Sequence, residues 1–353
     1  MATVIKRFWA SGLLIVLAVS AIGARVVVQQ LPVKTSVPAS IVSCAHQAND
    51  FDCWKERYKA MVEQDSPKAA FADLRQSYES SDYVRSQCHQ IVHVIGRTAA
   101  AKYSDTVSAY DQGDNFCWSG YYHGVMEGVA DKLGADEVMA TMTTICESAK
   151  QKSPYGFYHF NCVHGLGHGL MAINGDELFD VLELCRKFSD QWERESCYGG
   201  TFMENIMSSQ NARHSTKYIK PDDALYPCTA VDVEFKQQCY LMQTSHALQV
   251  ENGDFEKVFV LCAGVEAPLD VICYQSLGRD ASGRSISNVA STKTTCLLGQ
   301  SDTAQSNCVI GAVKDFISYF HSDKQGMELC KSFDSPSLSA TCTSTAQQYY
   351  STF

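Results

Sequence analysis

The chain has no Cys-x-x-Cys spacing among its 16 cysteines. That absence removes thioredoxin-type redox work, zinc ribbons and c-type haem attachment together. There is no Gly-rich phosphate loop and no G-x-S-x-G elbow, so neither a nucleotide cradle nor a hydrolase serine is on offer. The two His-x3-His segments, HQIVH and HGLGH, lack the glutamate of HExxH, which takes the general base from a zincin protease. Lys and Arg number 29 against 39 Asp and Glu, for a net charge of −10, and they form no cluster. Nucleic acid is excluded as a partner, because a phosphate backbone needs clustered cations.

Long apolar stretches are confined to one. Lys6 and Arg7 precede a run from Phe8 to Ala24 broken only by small residues, and Arg25 follows. Residues 1–28 read as a signal anchor or a signal peptide, with basic residues before the run held in the cytoplasm and the body outside. The expectation is a single-pass membrane protein tethered through this segment. A small-residue cleavage site ending at Ala21 or Ala24 would instead make it secreted. Residues 29–43, with Pro32 and Pro38, read as an extended stalk.

What the chain has in quantity is cysteine, and it is periodic. Cys162, Cys197, Cys239, Cys273, Cys308 and Cys342 recur at intervals of 34 to 42 residues, the mark of a tandem array. In five units a first cysteine precedes the second by 11 or 12 residues: Cys185/Cys197, Cys228/Cys239, Cys262/Cys273, Cys296/Cys308 and Cys330/Cys342. Cys146/Cys162 is a longer version and Cys44/Cys53 a local pair; Cys88 with Cys117 is the simplest completion, with swapped pairings left open because sequence alone does not fix connectivity. An even number of cysteines in an exported chain is expected to be oxidised.

Each unit reads as a helical hairpin. In Asp254 to Gly278, an apolar helix-like stretch ends at Cys262, Gly264 and Pro268 punctuate a turn, and Cys273 opens the second helix. The stretch before Cys228 reads as an inserted loop with an Asp-rich helix start ahead of Ala224. The fold class is all-α: a solenoid of about 34-residue hairpins with one disulfide per unit. Residues 44–205 carry clustered histidines, and 206–353 keep the cysteine grid without them, as scaffold or a surface for a protein partner. In period and cysteine placement, residues 44–345 resemble tetratricopeptide and Sel1-like repeat proteins. That resemblance implies the architecture and carries no functional residue.

Six of the ten histidines fall on three units. His89/His93 and His164/His168 are spaced i,i+4, and His123/Glu127 repeats the spacing with a carboxylate, so each pair shares a helix face. Counted from its own cysteine at about 100° per residue, each group falls on one broad side of its helix. His89, His93, His123, His164 and His168 are therefore candidate ligands in a shared groove for a divalent transition metal (Zn, Cu or Fe), with Glu127 as ligand or catalytic base. Five or six donors exceed one tetrahedral shell. Arg97 and Tyr122 are candidate ligand-binding residues of the same groove; Glu204 is a third, although its angle from Cys197 turns it away. His159 reads as structural. A metal-dependent enzyme, a metal-binding protein and a metal-free scaffold for a protein or small ligand are the readings carried forward.

Overall fold

The computed structural model describes residues 43–44, 48–209, 216–285 and 288–351. The anchor segment and nearly all of the stalk lie outside them. Among the described residues there are 17 helices and no strand, and no helix long and apolar enough to cross a membrane.

The helices begin where the sequence supplies caps. Ser66 caps α2 (Pro67–Ser80), which follows α1 (Phe51–Gln64), and Ser81 caps α3 (Asp82–Lys102). These hydroxyls accept from otherwise unpaired N–H groups of the first turn. Next come α4 (Thr106–Tyr110), α5 (Gly120–Leu133), α6 (Ala135–Thr141), α7 (Glu147–Lys152), α8 (Phe157–Ile173), α9 (Leu178–Cys185) and α10 (Gln191–Ser209). The later half holds α11 (Val233–Val250), α12 (Phe255–Ala263), α13 (Leu269–Arg284), α14 (Val289–Cys296), α15 (Asp302–Phe320), α16 (Lys324–Ser332) and α17 (Pro336–Tyr350).

Eight disulfides join Cys44–Cys53, Cys88–Cys117, Cys146–Cys162, Cys185–Cys197, Cys228–Cys239, Cys262–Cys273, Cys296–Cys308 and Cys330–Cys342. From Cys185 onward, four first cysteines sit in the last turn of a short helix (α9, α12, α14, α16). The second cysteine lies between one and two turns inside the next long helix rather than opening it. The expected helix start ahead of Ala224 is not formed. Residues 221–231 are turns, in which Pro221 and Pro227 cannot donate, and Gln243 Nε2 donates to the carbonyls of Ala224 and Tyr226 at 2.9 and 2.8 Å.

Each long helix packs on the next: α3 on α5, α5 on α8, α8 on α10, then α11, α13, α15 and α17 in turn. Glycines let several of these contacts close to backbone distance. A Cβ on Gly96 would lie 2.1 Å from the Tyr121 carbonyl oxygen, and one on Gly124 2.2 Å from that of His93. The glycine density on these helices is thus a packing requirement.

Segments far apart in the chain also meet. Trp118, in the turn before α5, donates from Nε1 to Asp315 Oδ1 of α15 at 3.1 Å and packs on Tyr319, while Phe157 packs on His321. The turn itself is unusual: Cys117, Trp118 and Ser119 have φ of 59°, 57° and 58°, a left-handed conformation costing roughly 1–2 kcal/mol per non-glycine residue. The Cys88 disulfide, the Trp118 hydrogen bond and the Ser119 N–H to Asn115 carbonyl bond hold it.

Asp315 is buried between Trp118 and the Ser282 hydroxyl, with Arg279 and Asp280 nearby. Burial pushes its carboxyl up to about 7. The folded state therefore keeps a proton that the unfolded chain releases near the ordinary value of 3.8. Its contribution to stability is present below about pH 4 and is lost as pH rises toward 7. Asp315→Asn should remove this slope, a change on the order of a few kcal/mol across the window. Urea midpoints of both proteins at pH 4.5 and 7.5 check it, and parallel pH dependences would refute it.

Candidate metal centre

Four helices deliver the polar cluster: α3 carries His89 and His93, α5 His123 and Glu127, α8 His164 and His168, and α10 Glu204. The imidazole rings of His89 and His93 are 4.7 Å apart between centroids, and those of His164 and His168 5.2 Å. His123 stands between the pairs, 5.6 Å from both His89 and His93, and 4.7 and 4.8 Å from His164 and His168. The donors fall into three triads whose ligand atoms lie within 4.8 Å of one another: His89/His93/His123, His123/His164/His168 and His93/Glu127/His168.

The cluster is largely interior, with His89 and Glu204 partly exposed, where the repeat reading expects an open groove. His168 is fully buried, and His93, His123, His164 and Glu127 are at most 8% exposed. The reason is that α10 packs on α8 and reaches back to α3, where Gln90 Nε2 donates to the Met207 carbonyl.

The hydrogen bonds decide which nitrogen of each ring is free. His89 Nδ1 lies 2.8 Å from the Cys117 carbonyl oxygen. A carbonyl only accepts, so Nδ1 carries the proton and Nε2 keeps its lone pair. His93 Nδ1 meets Glu127 Oε1 at 2.5 Å. Burial alone would push Glu127 up, yet His93 and the Arg97 guanidinium outweigh it and hold the carboxyl well below its usual range. Glu127 therefore accepts. With Nδ1 of each ring directed at its acceptor, His89 Nε2 and His93 Nε2 face each other at 3.1 Å, close enough to share one proton or to ligate one ion.

The second pair is built the same way. His164 is hydrogen-bonded to the Ser196 backbone, and its Nε2 has no partner. His168 Nδ1 meets Glu204 Oε2 at 2.7 Å, and its Nε2 is also without a partner, as is His123 Nδ1. Burial, reinforced by the neighbouring rings, holds His89, His123 and His164 well below the ordinary imidazole value, and His168 down to about 3. Burial and then Glu127 push Glu204 up to about 7. A buried polar atom left unpaired costs roughly 1–3 kcal/mol. A cation bound within a triad of such donors would satisfy several of them at once.

Glu204 joins the cluster although its angle around an isolated α10 points elsewhere; its side chain reaches His168 from the flank of the neighbouring helix. Arg97 is half-exposed and pairs with Glu127. With both oxygens engaged and its carboxyl held low, Glu127 is a weak base and is better suited to orient His93. Tyr122 stands apart, packed among Tyr110, Tyr121, Phe157 and Tyr158. His159 bonds Glu193 at 3.0 Å, which also pairs with Lys150. Sequence reasoning could not have found the Cys117 carbonyl or the Ser196 backbone as ring partners, since any residue type supplies them.

No family model matches this chain, and neither does any curated protein or solved structure with which it was compared.

Proposed function

We propose that this chain is an exported helical-repeat protein that binds transition-metal ions through its buried imidazoles. One observation carries the reading. The rings of His89, His93, His164 and His168 each have one nitrogen tied to a carboxylate or backbone acceptor, while Nε2 of His164 and of His168 is buried without a partner and Nε2 of His89 and of His93 face each other at 3.1 Å. This is the arrangement in which a second group fixes the tautomer of a metal-ligating histidine. Neutral imidazole suits Zn, Cu and Fe. The eight disulfides fit an oxidising, extracytoplasmic compartment, and the hairpin period fits a solenoid whose successive long helices share the load of building the site.

Full-length protein purified without a chelating tag should hold Zn, Cu or Fe in stoichiometric amount after desalting, and should rebind it after chelator treatment. Protein that neither retains nor rebinds any of the three would leave the scaffold reading in its place. Glu127→Gln should keep the metal with affinity weakened by about 10–100-fold, the usual effect of losing such an orienting group. Unchanged affinity in a competition titration would remove that role from Glu127.

A further inference from the structure

The cluster repeats itself. Its first half is an i,i+4 pair on α3, in which one ring is backed by a backbone carbonyl (His89 on Cys117) and the other by a carboxylate (His93 on Glu127). Its second half is an i,i+4 pair on α8 with the same two kinds of backing, His164 on the Ser196 backbone and His168 on Glu204. Between them His123 is within ring contact of all four, and its Nδ1 is buried without a partner.

One ion does not account for this arrangement. Nitrogens sharing a tetrahedral ion at about 2.0–2.1 Å lie roughly 3.4 Å apart, a separation that the His89 and His93 Nε2 atoms nearly have at 3.1 Å. A single ion serving four or five rings would need all their donors that close. Among the described residues the donors gather instead as triads, and the two all-histidine triads have only His123 in common. The third triad includes Glu127, whose oxygens are taken by His93 and Arg97. Charge leads the same way. A buried cation needs compensation, and one carboxylate stands behind one ring of each pair, Glu127 for the first and Glu204 for the second.

We infer that the site is a dinuclear centre: one transition-metal ion on His89 and His93, a second on His164 and His168, and His123 lying between them. Glu127 and Glu204 are positioning residues that orient one ligand of each ion and supply its counter-charge. The inference rests on the metal-binding reading above and adds the number of ions and their ligand assignment. In this geometry the ions are near enough to bind one small bridging group together, on the order of the 3.5–4 Å of two-metal sites.

The test is stoichiometry in full-length, metal-depleted protein titrated separately with Zn(II) and Cu(II), with bound metal measured after gel filtration. Two ions per chain are expected. The double variants His89→Gln/His93→Gln and His164→Gln/His168→Gln should each retain one. One ion per chain in the wild type, lost in both variants, overturns the dinuclear assignment while leaving metal binding intact; no ion at all overturns the earlier reading as well. Because either variant can fail to fold, the wild type supplies an independent measure. Its fully loaded Cu(II) form should show an electron paramagnetic resonance signal well below that of its total copper, as two nearby spins couple. A full-intensity signal of isolated Cu(II) at saturation would also overturn the pair.

Discussion

Complete reduction of the eight disulfides should unfold this chain at neutral pH and room temperature. Seven of them close loops with sequence separations of 9 to 16 residues, and Cys88–Cys117 one of 29. In the chain-entropy account each such loop stabilises the fold by roughly 3 kcal/mol. Even half that value over all the loops matches the ~5–15 kcal/mol by which a whole domain is ordinarily stable. The short helices α9, α12, α14 and α16, at 8 or 9 residues, are too short to persist alone. Their disulfides hold them against the long helices.

Reduction should also be slow. No cysteine is more than 6% exposed and most are fully buried, so a thiolate reagent must wait for local opening. Mild urea should accelerate it steeply. Far-UV circular dichroism with a parallel thiol count is the measurement. A chain with all 16 thiols free that keeps its native helical signal would show that packing, and not the disulfide grid, sustains the fold.

The second large effect is expected from adding a single methyl group where two helices touch. A Cβ on Gly200 of α10 would lie 1.9 Å from the His164 carbonyl oxygen, and one on Gly278 of α13 would lie 1.9 Å from that of Cys308 on α15. Both clashes are with backbone, which a rotamer change cannot relieve. Overpacking ordinarily costs about 1–3 kcal/mol, and a backbone clash this close should reach the top of that range or pass it. The better helix propensity of alanine returns only about 1 kcal/mol.

Gly200→Ala and Gly278→Ala should therefore lose comparable stability, read as lowered urea midpoints. They should differ in metal. Parting α8 from α10 displaces His164 and His168 together with the Glu204 and Ser196 partners that orient them, so Gly200→Ala should lose metal affinity. Gly278 is separated from α10 by α11 and meets the cluster otherwise only through the α13–α15 seam behind Trp118 and Cys117, so its variant should lose much less affinity than Gly200→Ala. Equal losses of affinity in the two would mean that global destabilisation, and not site geometry, governs binding.

Much of this molecule could be read before any coordinates. The 34-residue cysteine rhythm and the Gly and Pro punctuation led to helical hairpins, since a turn and its flanking helices are local structures written in adjacent residues. The i,i+4 spacing of His89/His93 and His164/His168 placed each pair on one side of a helix, because 3.6 residues per turn is set by the backbone alone. The turn before Cys228 shows where local reading fails: Asp222 and Asp223 resemble a helix start, but two prolines and the Gln243 side chain satisfy the backbone another way.

What residue spacing determined here was the period, the class of secondary structure and which histidines travel together. Tertiary structure alone decided how each helix is rotated against its neighbour. That rotation depends on which glycines let backbones touch and on the meeting of Trp118 with Asp315 across nearly 200 positions of chain. It brought Glu204 to His168, left Tyr122 in an aromatic core, buried the imidazoles and chose the free nitrogen of each ring. Spacing specifies an angle about one helix axis, whereas a site built from four helices depends on the angles between their faces, which only packing sets.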